Sequence, residues 1–351
     1  MSIQMRRILV AIGDLAHPPK SELRKAGLLA RKSGAKIELF HAITDLDPGL
    51  SFPEAVTARA VAEQRSATAT QGQQKLLRMA RDRSLHGLEV TCTASWDFPP
   101  HEAIIRRART IKADLVIAAT RRHRLGARMV LTNTDWELIR HCPTPVLLVK
   151  SRRLYRNPVV IAAVDPFHAH VRPADLDKRL VDAGAGIAKL IRGRLDVFHA
   201  YMPLLSVAPM AGATPVMLPP EMEITHEDLI TREVRELAQT ASVPAKRCHL
   251  CMGSVSSELD ATVRRTHAHL VVMGAVSRSA VSRLFIGNTA ERVLDRLTCD
   301  VLVIKPRGFK SKVVARRAVE ASAPRVRARP LGPVALERAR IRHAGSSAHA
   351  A

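Results

Sequence analysis

At 351 residues the chain is too long for one domain of ordinary size and suits two of about 150 each. Apolar residues make up 46%, enough for buried cores, but no apolar run approaches the ~20 residues of a membrane span, and five scattered cysteines do not form a secreted disulfide framework. With no apolar leader after Met1 and a formal charge of +23, the expectation is a soluble cytoplasmic protein whose field favours anionic partners.

Arg7 to Asp14 (RILVAIGD) reads as a buried strand ending in a polar turn. Residues 20–33 carry helical spacing at Leu23, Ala26, Leu29 and Ala30, and Gly34 is a natural stop. Lys36 to Ala42 is strand-like, residues 54–85 suggest a long helix, and Leu88 to Thr93 alternates as a strand should. A helix follows over Pro100 to Ile111, with proline tolerated in its first turn. Asp114 to Ala119 is another buried strand, 134–141 a short helix and Pro145 to Val149 a last strand. Strands alternating with helices imply a parallel, doubly wound α/β sheet.

The pattern then repeats. Asn157 to Asp165 (NPVVIAAVD) restates the first strand and its terminal aspartate 151 residues on. Val197-Phe198-His199-Ala200 restates Leu39 to Ala42 at an offset of 158. His269 to Gly274 restates Asp114 to Ala119 at 155, and Val301 to Lys305 restates Val146 to Lys150, also at 155. Four matched strands at a nearly constant offset indicate internal duplication. The division is a first domain over 1–150, a second over 151–306 and a tail over 307–351. That tail holds eleven Lys/Arg against two Asp/Glu and reads as disordered. Pro203 to Glu223, rich in Pro, Met, Ala and Leu, is an insertion beside the second crevice or over a sheet edge.

The second repeat contains the one stretch with phosphate-cradle character. Leu270-Val271-Val272-Met273 reaches Gly274, a basic loop follows, and Gly287-Asn288-Thr289 resembles a helix start. A glycine at a strand end lets backbone approach closely, and a helix N-terminus offers unpaired N–H groups. Asn288-x-x-Glu291 also resembles a capping box, as does Thr134-x-x-Glu137 in the first repeat. Arg278 and Arg283 would supplement the loop. Cys248-x-x-Cys251 falls on a predicted strand, where a separation of three puts the side chains on opposite faces. His168, His170, His267 and His269 read as scattered strand-end residues. No nucleophile elbow, Ser-His-Asp spacing or paired-carboxylate signature is present, so no catalytic or metal-binding residue is assigned.

Leu131 to Val146 (LTNTDWELIRHCPTPV), with its counterpart Phe285 to Leu294 and Cys299 to Pro306, resembles the C-terminal portion of a universal stress protein domain. The whole, over about residues 5–307, is similar to tandem members of the E type. The resemblance implies, for each half, a five-stranded parallel sheet of order 3-2-1-4-5, the adenine-nucleotide-binding fold of that family. It also implies pairing of the two halves through Val146 to Val149 against Val301 to Val303. ATP-binding members use Gly-x2-Gly-x9-Gly-Ser/Thr after strand 4, plus an aspartate after strand 1. Here that pattern falls on Gly274, Ser277, Gly287 and Asn288, with Thr289 next to it and Asp165 as the aspartate. In the first half the same positions are Ala119, Arg122 and Thr132, so the glycines are gone and Asp14 remains.

Two principal expectations follow. One is a non-catalytic stress-adaptation protein whose second domain binds ATP with Mg²⁺. The alternative is a scaffold for protein partners, or a binder of a small apolar ligand, that has lost nucleotide binding. Nucleic-acid binding through the tail is a minor third, since no aromatic residues interleave its charges.

Overall fold

A computed structural model describes residues 5–44, 58–119, 131–168, 175–202, 220–274, 288–314 and 326–327. The first half runs β1 (Arg7–Ala11), α1 (Lys20–Ser33), β2 (Lys36–Ile43), α2 (Ala58–Met79), β3 (Val90–Trp96), α3 (Pro100–Thr110), β4 (Leu115–Ala119), α4 (Asn133–His141) and β5 (Val146–Val149). The second runs β6 (Val159–Ala163), α5 (Leu176–Leu190), β7 (Arg194–Tyr201), α6 (Pro220–Gln239), β8 (Cys248–Met252), α7 (Val255–Thr266), β9 (Leu270–Gly274), α8 (Asn288–Arg296) and β10 (Asp300–Ile304). Gly34 ends α1 with φ +74° and donates its N–H to the Ala30 carbonyl, a left-handed cap that explains the glycine.

The strands form one sheet in the order β11-β3-β2-β1-β4-β5-β10-β9-β6-β7-β8, with β11 at Val326–Arg327. Within each half the order is 3-2-1-4-5 and all pairings are parallel. The halves join through an antiparallel edge, with Val301 opposite Leu148 and Val303 opposite Val146. Alternate residues of β1 feed two cores, Ile8 and Val10 one side and Leu9 and Ala11 the other. Both sheet faces are covered by helices, so the strands are apolar on both sides rather than alternating. Burying each Val, Leu or Ile among them is worth roughly 1.5–3 kcal/mol.

The join also has a polar lock. Lys25 on α1 and Asp300 on β10 are both 0% exposed and form an ion pair. Asp300 also accepts from Tyr155 Oη at 2.6 Å and from the Lys150 and Ser151 amides at 3.0 and 2.9 Å. Lys25 donates besides to the Ser151 carbonyl at 2.6 Å and lies over the Tyr155 ring at 5.2 Å. Every hydrogen-bonding demand of the buried carboxylate is thus met by the other half or by the connection between halves. Lys150 reaches the Leu294 carbonyl of α8, so the first half also satisfies a helix end in the second.

Most of the tail expected to be disordered lies outside the described residues. Its described part touches the first half. Val313 is buried, Arg109 on α3 donates to its carbonyl at 2.8 Å, and Val326–Arg327 pairs antiparallel with β3. An open strand edge presents unpaired N–H and C=O groups, which is what a passing extended segment can satisfy. Composition alone, basic and poor in apolar periodicity, did not signal that contact.

Candidate functional site

In such a sheet the ligand crevice lies past the carboxyl ends of the strands where the order reverses. In the first half those strands are β1 and β4, in the second β6 and β9. Register decides which residues are equivalent there. Val10 is opposite Ile117, and Ala162 is opposite Val272. Ile8 is opposite Ile37, and Val160 is opposite Leu195. His41 Nδ1 meets the Ile12 carbonyl at 2.7 Å, and His199 Nδ1 meets that of Val164 at 3.0 Å. All three relations make Ile12 equivalent to Val164. The counterpart of Asp165 is therefore Gly13, and Asp14 lies one residue further along, opposite Pro166 in sequence. The sequence match of Asp14 to Asp165 was off by one. Chain spacing showed two aspartates after two strands, whereas ladder register fixes where each leaves the sheet.

The two carboxylates differ accordingly. Asp14 is tied into its own turn, accepting from His17 Nδ1 at 3.0 Å and from the Ala16 amide at 2.7 Å. The His17 hydrogen bond, followed by that from Ala16, holds its carboxyl below the usual carboxylate range. Asp165 leaves β6 directly after Val164, and its N–H donates to Asp177 Oδ1 in the first turn of α5 at 3.0 Å. Just beyond, Phe167 lies between two imidazoles, His199 at 6.0 Å and His226 of α6 at 6.2 Å between ring centroids. Histidine at the end of β2 and β7 thus buttresses the crevice in both halves, a role the sequence repeat of Phe-His-Ala could have suggested.

Gly274 closes β9 opposite Ile304. A Cβ there would meet Leu176 Cδ2 at 3.0 Å, so the glycine has a packing reason in the seating of α5. Asn288 is the first residue of α8. Thr132 caps α4 and forms a capping box with Asp135, two residues before the expected Thr134 and Glu137 pairing. Helical propensity of Asn-Thr is low enough that sequence favoured a later start, but the Thr132–Asp135 exchange satisfies two end N–H groups and fixes the earlier one. Glu291 pairs with Arg140 of the first half at 3.1 Å. Thr289 follows Asn288 in the first turn of α8. Ser277 and Gly287 lie outside the described residues, as do Arg122, Arg278 and Arg283.

The remaining constellations are structural. Cys248 packs toward one core and Cys251 toward the other, as strand alternation requires. Burial pushes the thiols of Cys92, Cys142 and Cys299 up to about 12, which makes them inert at neutral pH. Each half also buries one carboxylate on its second strand. Glu38 takes Arg107 at 2.5 Å and Thr93 at 3.0 Å. Asp196 takes His249 at 3.0 Å, while Arg194 Nε stands 3.4 Å from its Oδ1 without the alignment of a hydrogen bond. Among the described residues no group of three or more His, Cys, Asp or Glu could hold a metal ion, and no helix is long and apolar enough to cross a membrane.

Comparison with known proteins places this geometry in context. Residues 5–150 and 171–305 match the model of the Universal stress protein family. The chain is 28% identical over 321 residues to Universal stress protein E of Photorhabdus laumondii, covering 88% of this chain and 98% of that one. With Universal stress protein E of Escherichia coli (strain K12) it shares 27% over 324 residues, covering 88% and 97%. A crystal structure from Pseudomonas aeruginosa UCBPP-PA14, described as that of a universal stress protein, matches with a TM-score of 0.65 at 25% identity over 87% of this chain and 94% of that one. A universal stress protein from Archaeoglobus fulgidus DSM 4304 shares the fold, with a TM-score of 0.57 at 16% identity over 86% and 99%.

Proposed function

The chain belongs to the universal stress protein family, and from that premise we propose that it serves stress adaptation without catalysis, as a tandem protein whose second half alone binds an adenine nucleotide. The observation carrying this reading is the one-residue difference between the two crevices. In the second, Asp165 directly follows the His199-braced Val164, the residue that continues the register of Ala163 with Met273 to the level of Gly274. In the first, Gly13 stands at that position, and Asp14 is consumed by Ala16 and His17. A carboxylate at a switch point suits a ribose hydroxyl or a base amino group, both hydrogen-bond donors. Gly274, Ser277, Gly287, Asn288 and Thr289 would form the phosphate side, with helix N–H groups as donors.

The cytoplasm is the proposed site of action. Isothermal titration of the full chain with ATP and Mg²⁺ tests the binding. Heat is expected for the native protein and its loss for Asp165→Ala, while Asp14→Ala leaves it unchanged. No heat at millimolar nucleotide from folded protein ends the nucleotide reading and favours a scaffold for protein partners or an apolar ligand.

A further inference from the structure

Among the described residues, the chain closes strand edges with its own strands except at one end. The β5 edge is taken by β10 and the β3 edge by β11, both antiparallel. The sheet order ends at β8, whose outer edge pairs with no described strand. β8 is the counterpart of β3 in the duplicated fold, yet β3 is largely buried, while the β8 residues are half-buried and Met252 is 61% exposed. Edges that stay free are commonly blunted by charge, proline or a bulge. Cys248-His249-Leu250-Cys251-Met252 carries no acidic, lysine, arginine or proline residue, and its pairing with β7 is unbroken from Cys248 to Met252.

We propose that the β8 edge is a docking surface for a second copy of this chain, paired antiparallel about a two-fold axis through Leu250. Backbone direction supports this centre. The Gly253 amide donates inward to the Tyr201 carbonyl at 2.8 Å. Strand alternation then turns Cys251 and His249 inward too, and turns Met252, Leu250 and Cys248 outward. Leu250 is the middle of the outward set, so a two-fold axis there matches each outward N–H and C=O with one on the other copy. Charge is also compatible. Centred on Leu250, Cys248 meets Met252, His249 meets Cys251, and the basic Arg247 and Lys246 meet the uncharged Gly253 and Ser254 of the second copy. No cation faces a cation in the register, although the net charge of +23 opposes approach of two copies at long range.

Sedimentation velocity of the full chain across a concentration series and at two salt concentrations provides the test. A monomer–dimer equilibrium that tightens several-fold between 50 mM and 300 mM salt is expected, because screening removes the long-range repulsion. Leu250→Pro removes an outward N–H and leaves the inward ladder to β7 intact, a placement proline tolerates on an edge. It should shift the equilibrium to monomer by at least tenfold, with circular dichroism and Tm reporting that the fold persists. If that variant fails to fold, Leu250→Lys, which sets two cations face to face, should do the same. Deleting residues 315–351 should leave the dimer in place. A dimer lost on that deletion means the tail of the second copy is the occupant, which overturns the proposal. A monomer at all concentrations and both salts, or a dimer indifferent to both Leu250 substitutions, overturns it as well.

Discussion

Replacing Asp300 with alanine tests the polar lock between the halves. The change leaves Lys25, 0% exposed, without its counter-ion, and removes the acceptor for Tyr155 Oη and for the Lys150 and Ser151 amides. Stranding a buried charge in this way costs about 3–5 kcal/mol, a large part of the ~5–15 kcal/mol that holds a typical protein folded. Lys25→Met should cost less, about 2–3 kcal/mol, because the carboxylate keeps Tyr155 and two amides, and charge-assisted hydrogen bonds are the strong ones. The double variant removes both charges. Its loss should fall short of the sum of the single losses by about 2 kcal/mol. Urea unfolding provides a natural pair of probes. Both tryptophans, Trp96 and Trp136, lie in the first half, so their fluorescence follows that half while circular dichroism follows both. The probes should coincide in the native chain and separate in Asp300→Ala, as the halves lose their coupling. Single losses that simply add in the double variant, to within about 0.5 kcal/mol, would refute the argument that the pair acts as a unit.

Two further predictions concern packing and titration. Gly27→Ala places a Cβ at 2.2 Å from the Ser84 carbonyl oxygen, a backbone atom that cannot swing aside, and should destabilise by about 1–3 kcal/mol in urea despite the gain in helix propensity. Lys305 is buried beside Cys142, and burial lowers its pKa from 10.5 to about 8. The folded chain therefore binds fewer protons than the unfolded one between pH 8 and 10.5, so this group's contribution to stability rises with pH across that window. Below pH 8 its penalty is fully present. Lys305→Met should gain on the native chain at pH 7, and that advantage should shrink by up to about 3 kcal/mol by pH 10.5 in paired melts. A gap that stays constant or widens with pH contradicts the sign.

Much of the architecture was legible in the sequence because its carriers are local and repeated. Apolar runs such as Ile8 to Ala11 and Val159 to Ala163 are strands buried on both faces, and their recurrence at a steady offset reveals duplication. Gly34 marked the end of α1 because a left-handed cap strongly favours glycine. The candidate crevice was legible only to the level of segments. Asp14 and Asp165 look alike along the chain, and pairing with the neighbouring strands separates them by one position. The pairing of Glu291 with Arg140 joins residues 151 positions apart, and nothing in the local sequence of either marks the other.

What the sequence determined by itself is therefore what nearest neighbours enforce: element type, the order of strands and helices, and the doubling of the unit. What only the tertiary structure decided is the set of relations between distant segments. These are the ladder registers that set the two crevices apart, the buried Lys25–Asp300–Tyr155 lock, the return of Val313 and Val326–Arg327 to the first half, and the β8 edge that no described strand pairs with. Each depends on bringing together groups far apart in the chain, where hydrogen bonds and burial, rather than local propensity, fix the outcome.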